Sequence, residues 1–262
     1  MSWGSRRKSK IILVFILLLL LSGGLIVAKK ISERKPTCFD MRKNGTEQGI
    51  DCGGICELQC KESVLEVNNL WQRSYEITKG FYNAVASVEN QNINSGVKQV
   101  SYSFKLFDKN RILIAERAGK TYIEPKKALV VFEQQIPVGE KIPVYTTFEF
   151  TSPVVWHKVN PAYTDLIVET TDMKLDQKDI KPRFTATLKN TSLRTAITDM
   201  DVYVVLYDDK DTVIQVGKTL VKNLPARESK NVFFVWQNPI PVPPVRYEVI
   251  TRYNPFIQEY IK

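Results

Sequence analysis

The chain has 262 residues, 44% of them apolar, a formal charge of +9 and four cysteines, enough for one large domain or two of ordinary size. Arg6, Arg7, Lys8, Lys10, Lys29 and Lys30 supply six of the nine charges, which leaves +3 for residues 31 to 262. That mixed remainder excludes the basic stripe that nucleic-acid phosphates would require.

Residues 11–28, "IILVFILLLLLSGGLIVA", carry no charge and as a helix would reach about 27 Å. They are expected to form a transmembrane helix behind a short cytoplasmic tail, residues 1–10. A cleaved signal peptide is the competing reading. Its apolar region usually runs about 7 to 15 residues and ends in a small-x-small site, which "LIVAKK" lacks. Basic residues stand on both sides of the run, with Lys29, Lys30, Arg34 and Lys35 after it, so charge alone does not orient it. All the folding material follows the run, and the four cysteines cluster just beyond it. Both facts favour a single-pass cell-membrane protein whose bulk is extracytoplasmic, in an oxidising compartment.

Residues 29–64 form a juxtamembrane linker and a cysteine module. Cys38, Cys52, Cys56 and Cys60 are separated by 13, 3 and 3 residues. Zinc sites favour C-x2-C pairs at two corners, iron–sulfur runs favour C-x2-C as well, and no C-x-x-C redox pair is present. Compartment and even count favour two disulfides, with Cys38–Cys56 and Cys52–Cys60 preferred among the three connectivities. The alternative is a module that binds calcium or zinc or exchanges thiols. The segment "CFDMRKNGTEQGIDCGGICELQC" resembles a DCGGxC cysteine motif that stands next to membrane anchors in bacterial surface proteins. The matching residues are Cys38, Asp40, Asn44, Gly45, Glu47, Asp51, Cys52, Gly53, Gly54, Cys56 and Cys60. Asp40, Asn44, Glu47 and Asp51 are oxygen donors of the type calcium takes, with turn capping as the alternative. No other cofactor is expected. Gly53 and Gly54 allow the tight path that brings the cysteines together.

Beyond the module the chain contains one unit twice. Residues 84–108 align with 184–208 at an offset of 100 without a gap, and Pro125 falls on Pro225. Val100, Tyr102, Phe104 and Leu106 alternate with polar residues, as do Val202, Val204 and Leu206, which predicts strands with one face buried and one solvated. "NQNINSG", "FDKNR", "YDDKD" and "IEPKK" mark the turns between them. The expected fold class is all-β: two tandem Ig-like antiparallel sandwiches of roughly seven strands, over residues 65–157 and 158–262. "SVLEVNNLWQRS" reads either as a short helix or as an edge strand.

"SFKLFD" and "VVLYD" resemble the FxLYD family of extracytoplasmic β-sandwich modules, through Phe104, Leu106, Phe107 and Asp108 in the first copy and Val204, Leu206, Tyr207 and Asp208 in the second. The resemblance implies Ig-like sandwiches attached to membrane anchors, without a catalytic role.

Catalytic groups are sparse. The chain has one histidine, His157, expected in the linker between the two units, and neither a G-x-S-x-G elbow nor a phosphate-binding glycine loop. Asn44 and Asn190 head Asn-x-Ser/Thr sequons. These features point to a non-enzymatic envelope protein that presents its sandwiches to another envelope protein or a surface glycan, or that serves as a spacer.

Overall fold

The computed structural model describes residues 3–32, 36–176, 180–240 and 242–258; within the first helix it describes side chains from Ile12 to Ile26 and at Lys29 and Lys30. The side chains of the expected tail, 1–10, and of Ile11, Val27 and Ala28 in the expected span, lie outside the described residues. The chain divides into two compact units, Met1–Cys56 and Glu57–Lys262.

The first unit opens on α1, Trp3–Ser32. Its apolar residues run round the whole circumference rather than along one stripe, so it has no amphipathic face to lay on a core. Every described side chain from Ile12 to Ile26 is exposed. Among the described residues no helix is long and apolar enough to cross a membrane, the run of described apolar side chains ending at Ile26.

The second unit is built from strands. The first repeat supplies β1 (Asn68–Thr78), β2 (Phe81–Asn90), β3 (Ser95–Phe107), β4 (Leu113–Ile123), β5 (Lys127–Pro137), β6 (Tyr145–Phe150) and β7 (Trp156–Lys158); the second supplies β8 (Val168–Asp176), β9 (Arg183–Asn190), β10 (Ile197–Tyr207), β11 (Val213–Leu224), β12 (Ser229–Val235) and β13 (Arg246–Arg252). The sheets are antiparallel and match between repeats: β1-β2-β5 corresponds to β8-β9-β12, and β4-β3-β6 to β11-β10-β13, with β7 added to β3 alone. "SVLEVNNLWQRS" therefore ends in an edge strand, β1, not a helix.

Each repeat encloses its own core. Ala84, Ala86 and Val88 of β2 meet Val100, Tyr102, Phe104 and Leu106 of β3 in the first. Phe184, Ala186 and Leu188 of β9 meet Met200, Val202, Val204 and Leu206 of β10 in the second. Burying one side chain of the size of Phe104 stabilises by about 1.5–3 kcal/mol.

The offset of 100 survives in the hydrogen bonds. Asn90 donates through Nδ2 to the carbonyls of Ser95 and Glu124, each at 2.8 Å. Asn190 donates to those of Thr195 and Leu224, at 2.9 and 3.0 Å. Both side chains are fully buried, and each closes the β2–β3 or β9–β10 turn onto the following strand. The Asn190 sequon is thereby occupied by structure. In the hairpins, Asp108 Oδ1 accepts from the amides of Asn110 and Ile112, and Asp208 Oδ1 from those of Lys210 and Thr212. Arg111 and Asp211 take positive φ at the same step, as a side-chain-capped turn requires.

The alternation expected from the sequence holds on the core side, but the other face is not uniformly solvated. Val85, Val130 and Phe132, on the far side of the β2–β5 pair, pack against Tyr203, Val205, Tyr207, Val213 and Val216, on the far side of β10 and β11. The two repeats thus join sheet to sheet, and β2 and β10 are buried on both sides. His157 lies in β7, paired with Gly96 of β3, rather than in a linker.

Candidate functional site

Register decides which faces are covered. Val85 pairs with Phe132 and Ser87 with Val130; the corresponding pairs are Thr185 with Phe233 and Thr187 with Asn231. Likewise the positions of Tyr203 and Val205 are Ser103 and Lys105 in the first repeat. Lys105 there pairs with Glu149 at 2.5 Å, and Ser103 donates to Glu116 at 2.6 Å. The repeats therefore differ in chemistry at these two positions, apolar or aromatic and covered in the second, polar in the first, where Lys105 is partly exposed and Ser103 is buried on its bond to Glu116. The uninterrupted runs "ALVVF" and "VYVVLY" carried this signal, because strands buried on both faces lose their alternation.

One row departs from that rule. In the second repeat Tyr207, at the end of β10, lies across from Val213 of β11 and Arg246 of β13, and both apolar side chains are covered by the first repeat. The corresponding row is Phe107, Leu113 and Tyr145. It is still apolar, yet Leu113 is 45% exposed against 6% for Val213. Ile112, Ile142 and Val144 extend the patch. The amide of Val144 donates to the Phe107 carbonyl at 2.8 Å, and Arg111 lies over the Tyr145 ring at 5.1 Å. Phe104, Leu106, Val204 and Leu206 of the repeat motif are core residues. Asp108 and Asp208 cap turns, and the Thr212 amide is the main cause that holds the Asp208 carboxyl below its ordinary pKa.

In the cysteine module Cys38 is bonded to Cys56, with Cα atoms 5.5 Å apart. Cys52 and Cys60 are disulfide-bonded as well, and no cysteine is free among the described residues. Asp51 accepts from the amides of Asp40 and Met41 through its two carboxylate oxygens, at 3.0 and 2.9 Å. Asp40 accepts from the Arg42 amide and from Asn44 Nδ2, and the Asn44 bond is the main cause that lowers its pKa. Glu47 accepts from the Asn44 amide at 3.1 Å. These carboxylate oxygens are aimed at the module's own donors, whereas the buried Oδ1 of Asn44 has no hydrogen-bond partner. The described group of acidic, histidine or cysteine ligand atoms that lies within 4.8 Å is Cys38, Glu47 and Cys56, and bonding between its two sulfurs leaves it one carboxylate. Gly54 has φ +56°, and a Cβ there would sit 1.8 Å from the Thr46 carbonyl oxygen, so the second glycine of the motif is sterically required.

His157 stands between the chain that follows the module and the first repeat. The Glu57 carbonyl accepts from the Lys158 amide, and the Gln59 amide donates to Trp156. Its Nδ1 lies 3.9 Å from the Glu57 carboxylate, and its ring meets Phe256 edge to face. No nucleophile or second base accompanies it at hydrogen-bond distance among the described residues.

No family model matches the chain, and no curated protein matches it. Among solved structures the chain is similar to the N-terminal CBM22-1-CBM22-2 tandem domain from Paenibacillus barcinonensis Xyn10C, at 11% identity and a TM-score of 0.15, over 81% of this chain and 90% of that one. A likeness at that score carries no argument about ligand or fold.

Proposed function

We propose that the protein is a non-enzymatic, membrane-anchored extracytoplasmic protein whose two repeats are FxLYD-like, Ig-like sandwich modules, and that the first repeat binds another envelope protein through its exposed end. The carrying observation is the Phe107, Leu113 and Tyr145 row, left open with Ile112, Ile142 and Val144 beside it. In the second repeat the same row is covered by protein. Exposed apolar patches of this kind mark interaction surfaces more often than solvated ones. The anchor reading is supported by the length of α1, 30 residues, and by the exposure of every described side chain from Ile12 to Ile26.

The test compares the wild type with Leu113→Glu/Val144→Glu in cross-linked native membranes. Both positions are exposed, so folding is expected to change by less than about 0.5 kcal/mol per site. Loss of a reproducible cross-linked partner in the variant, with an unchanged melting curve, supports binding. A partner retained at wild-type level, or no partner with either chain, removes the reading in favour of a spacer.

A further inference from the structure

Among the described residues the three most exposed large apolar side chains of the chain all lie in the cysteine module: Phe39 at 91%, Met41 at 85% and Ile55 at 82%, with Ile50 at 63%. Isolated apolar side chains on a surface need no explanation, but these are gathered by the module's own bonds. The Cys38–Cys56 bond brings together the chain on which Phe39 and Ile55 are the adjoining residues. The Asp51 carboxylate, holding the amides of Asp40 and Met41, brings Ile50 alongside Met41. A segment this short has no core in which to hide them.

The charges around these side chains select the occupant. Lys29 and Lys30 occupy the last turn of α1, and Arg42 and Lys43 follow Met41 directly. The carboxylates of Asp40 and Asp51, which would repel an anionic surface, are turned onto amides and Asn44 within the module. Apolar side chains beside lysine and arginine suit the boundary between headgroups and acyl chains of an anionic phospholipid layer. Chain length keeps the module at that depth: the six steps from Ser32, the end of α1, to Cys38 span at most about 21 Å.

We infer that the module at Cys38–Cys56 seats in the headgroup layer of the membrane that α1 enters, with Phe39, Met41, Ile50 and Ile55 reaching toward the acyl chains. The inference rests on the reading of α1 as an anchor. It assigns the module a membrane contact of its own beside that of α1.

The test uses the full chain in vesicles of phosphatidylethanolamine and phosphatidylglycerol, with photoreactive benzoylphenylalanine replacing Phe39, Ile55 or Asn231 one at a time. Asn231 is an exposed polar side chain of β12 and serves as the reference. After irradiation, mass spectrometry is expected to find phospholipid adducts at positions 39 and 55, about fivefold or more above position 231 for an interfacial side chain. Adducts at 39 and 55 no higher than at 231, or adducts to protein only, overturn the seat. Alkaline carbonate extraction separates the two readings. A chain that resists extraction yet gives no lipid adducts retains its anchor and loses the seat, whereas a chain that is extracted loses both.

Discussion

Arg252, the last residue of β13, places its Nη2 3.0 Å from the carboxylate of Glu124, just past β4, with the two residues only 3% and 0% exposed. The pair joins the second repeat to the first. The same guanidinium donates to the carbonyls of Val130 and Tyr122, each at 2.8 Å, and to Thr121, and lies 4.6 Å above the Tyr122 ring. A buried ion pair gains little over a well-packed apolar pair, but breaking one leaves a charge without a partner. Arg252→Met alone, or Glu124→Leu alone, is therefore expected to lower unfolding stability by about 3–5 kcal/mol, whereas the double variant recovers part of the loss, the bonds to the Val130 and Tyr122 carbonyls staying absent. Urea unfolding of the three variants measures this, and additive losses in the double variant would show that the pair acts as two independent contacts.

The sheet-to-sheet joint makes a second prediction, because the repeats carry their own controls. Val205 is fully buried in the joint, and its counterpart Lys105 is paired with Glu149 on an open face. Val205→Lys places an uncompensated charge between the repeats and is expected to cost more than about 3 kcal/mol. Lys105→Val removes only a surface pair, worth about 0–1 kcal/mol. Thermal melting distinguishes them, and equal effects would refute the assignment of the covered face.

Asn190 yields a third. Removing its side chain by Asn190→Ala takes away the side-chain partner of the Leu224 carbonyl and of the Ser192 amide, and leaves the Thr195 carbonyl to Ser192 Oγ, which also donates to it at 2.6 Å. A loss of about 2–4 kcal/mol follows from leaving several buried groups unpaired, and Asn90→Ala is expected to lose a similar amount at the equivalent place. Expression in a glycosylating host adds a direct check, since a glycan on Asn190 of the folded chain is incompatible with its burial.

How far the sequence announced these features depended on whether the cause was local. The Asp108 and Asp208 turns, the Leu106 and Leu206 core positions and the gapless offset of 100 were legible, because turn capping and strand alternation are set by residues close together in the chain. The Cys38–Cys56 bond matches the connectivity preferred among the three, although loop length alone does not single it out. The joint was not read, although "VYVVLY" hinted at it by losing its alternation. Arg252 and Glu124 gave no signal at all: they stand 128 positions apart, and only the packing of two sheets from different repeats brings them within contact. The linker expected at His157 failed for a similar reason, since β7 returns to pair with β3 of its own repeat and takes the histidine with it.

That placement makes His157 the basis of the last prediction. Burial, then Lys98, lowers its pKa from the ordinary 6.5, while Glu57 opposes the shift. Because the folded pKa lies below the unfolded one, the unfolded chain binds the proton at a higher pH than the folded chain. The contribution is therefore fully present above 6.5 and is lost as pH falls from there toward the lower folded value. Glu57, whose pKa is lowered from 4.5 chiefly by its bond to Lys98, contributes stability that is present above 4.5 and lost as pH falls from there through its lower folded value. Urea midpoints taken between about pH 8 and pH 5 thus isolate the histidine. They are expected to decline with acidification in the wild type and to flatten over that window in His157→Gln. A wild-type profile that rises toward pH 5 would mean that the Glu57 carboxylate outweighs burial at the imidazole, and would reverse the sign assigned to this residue.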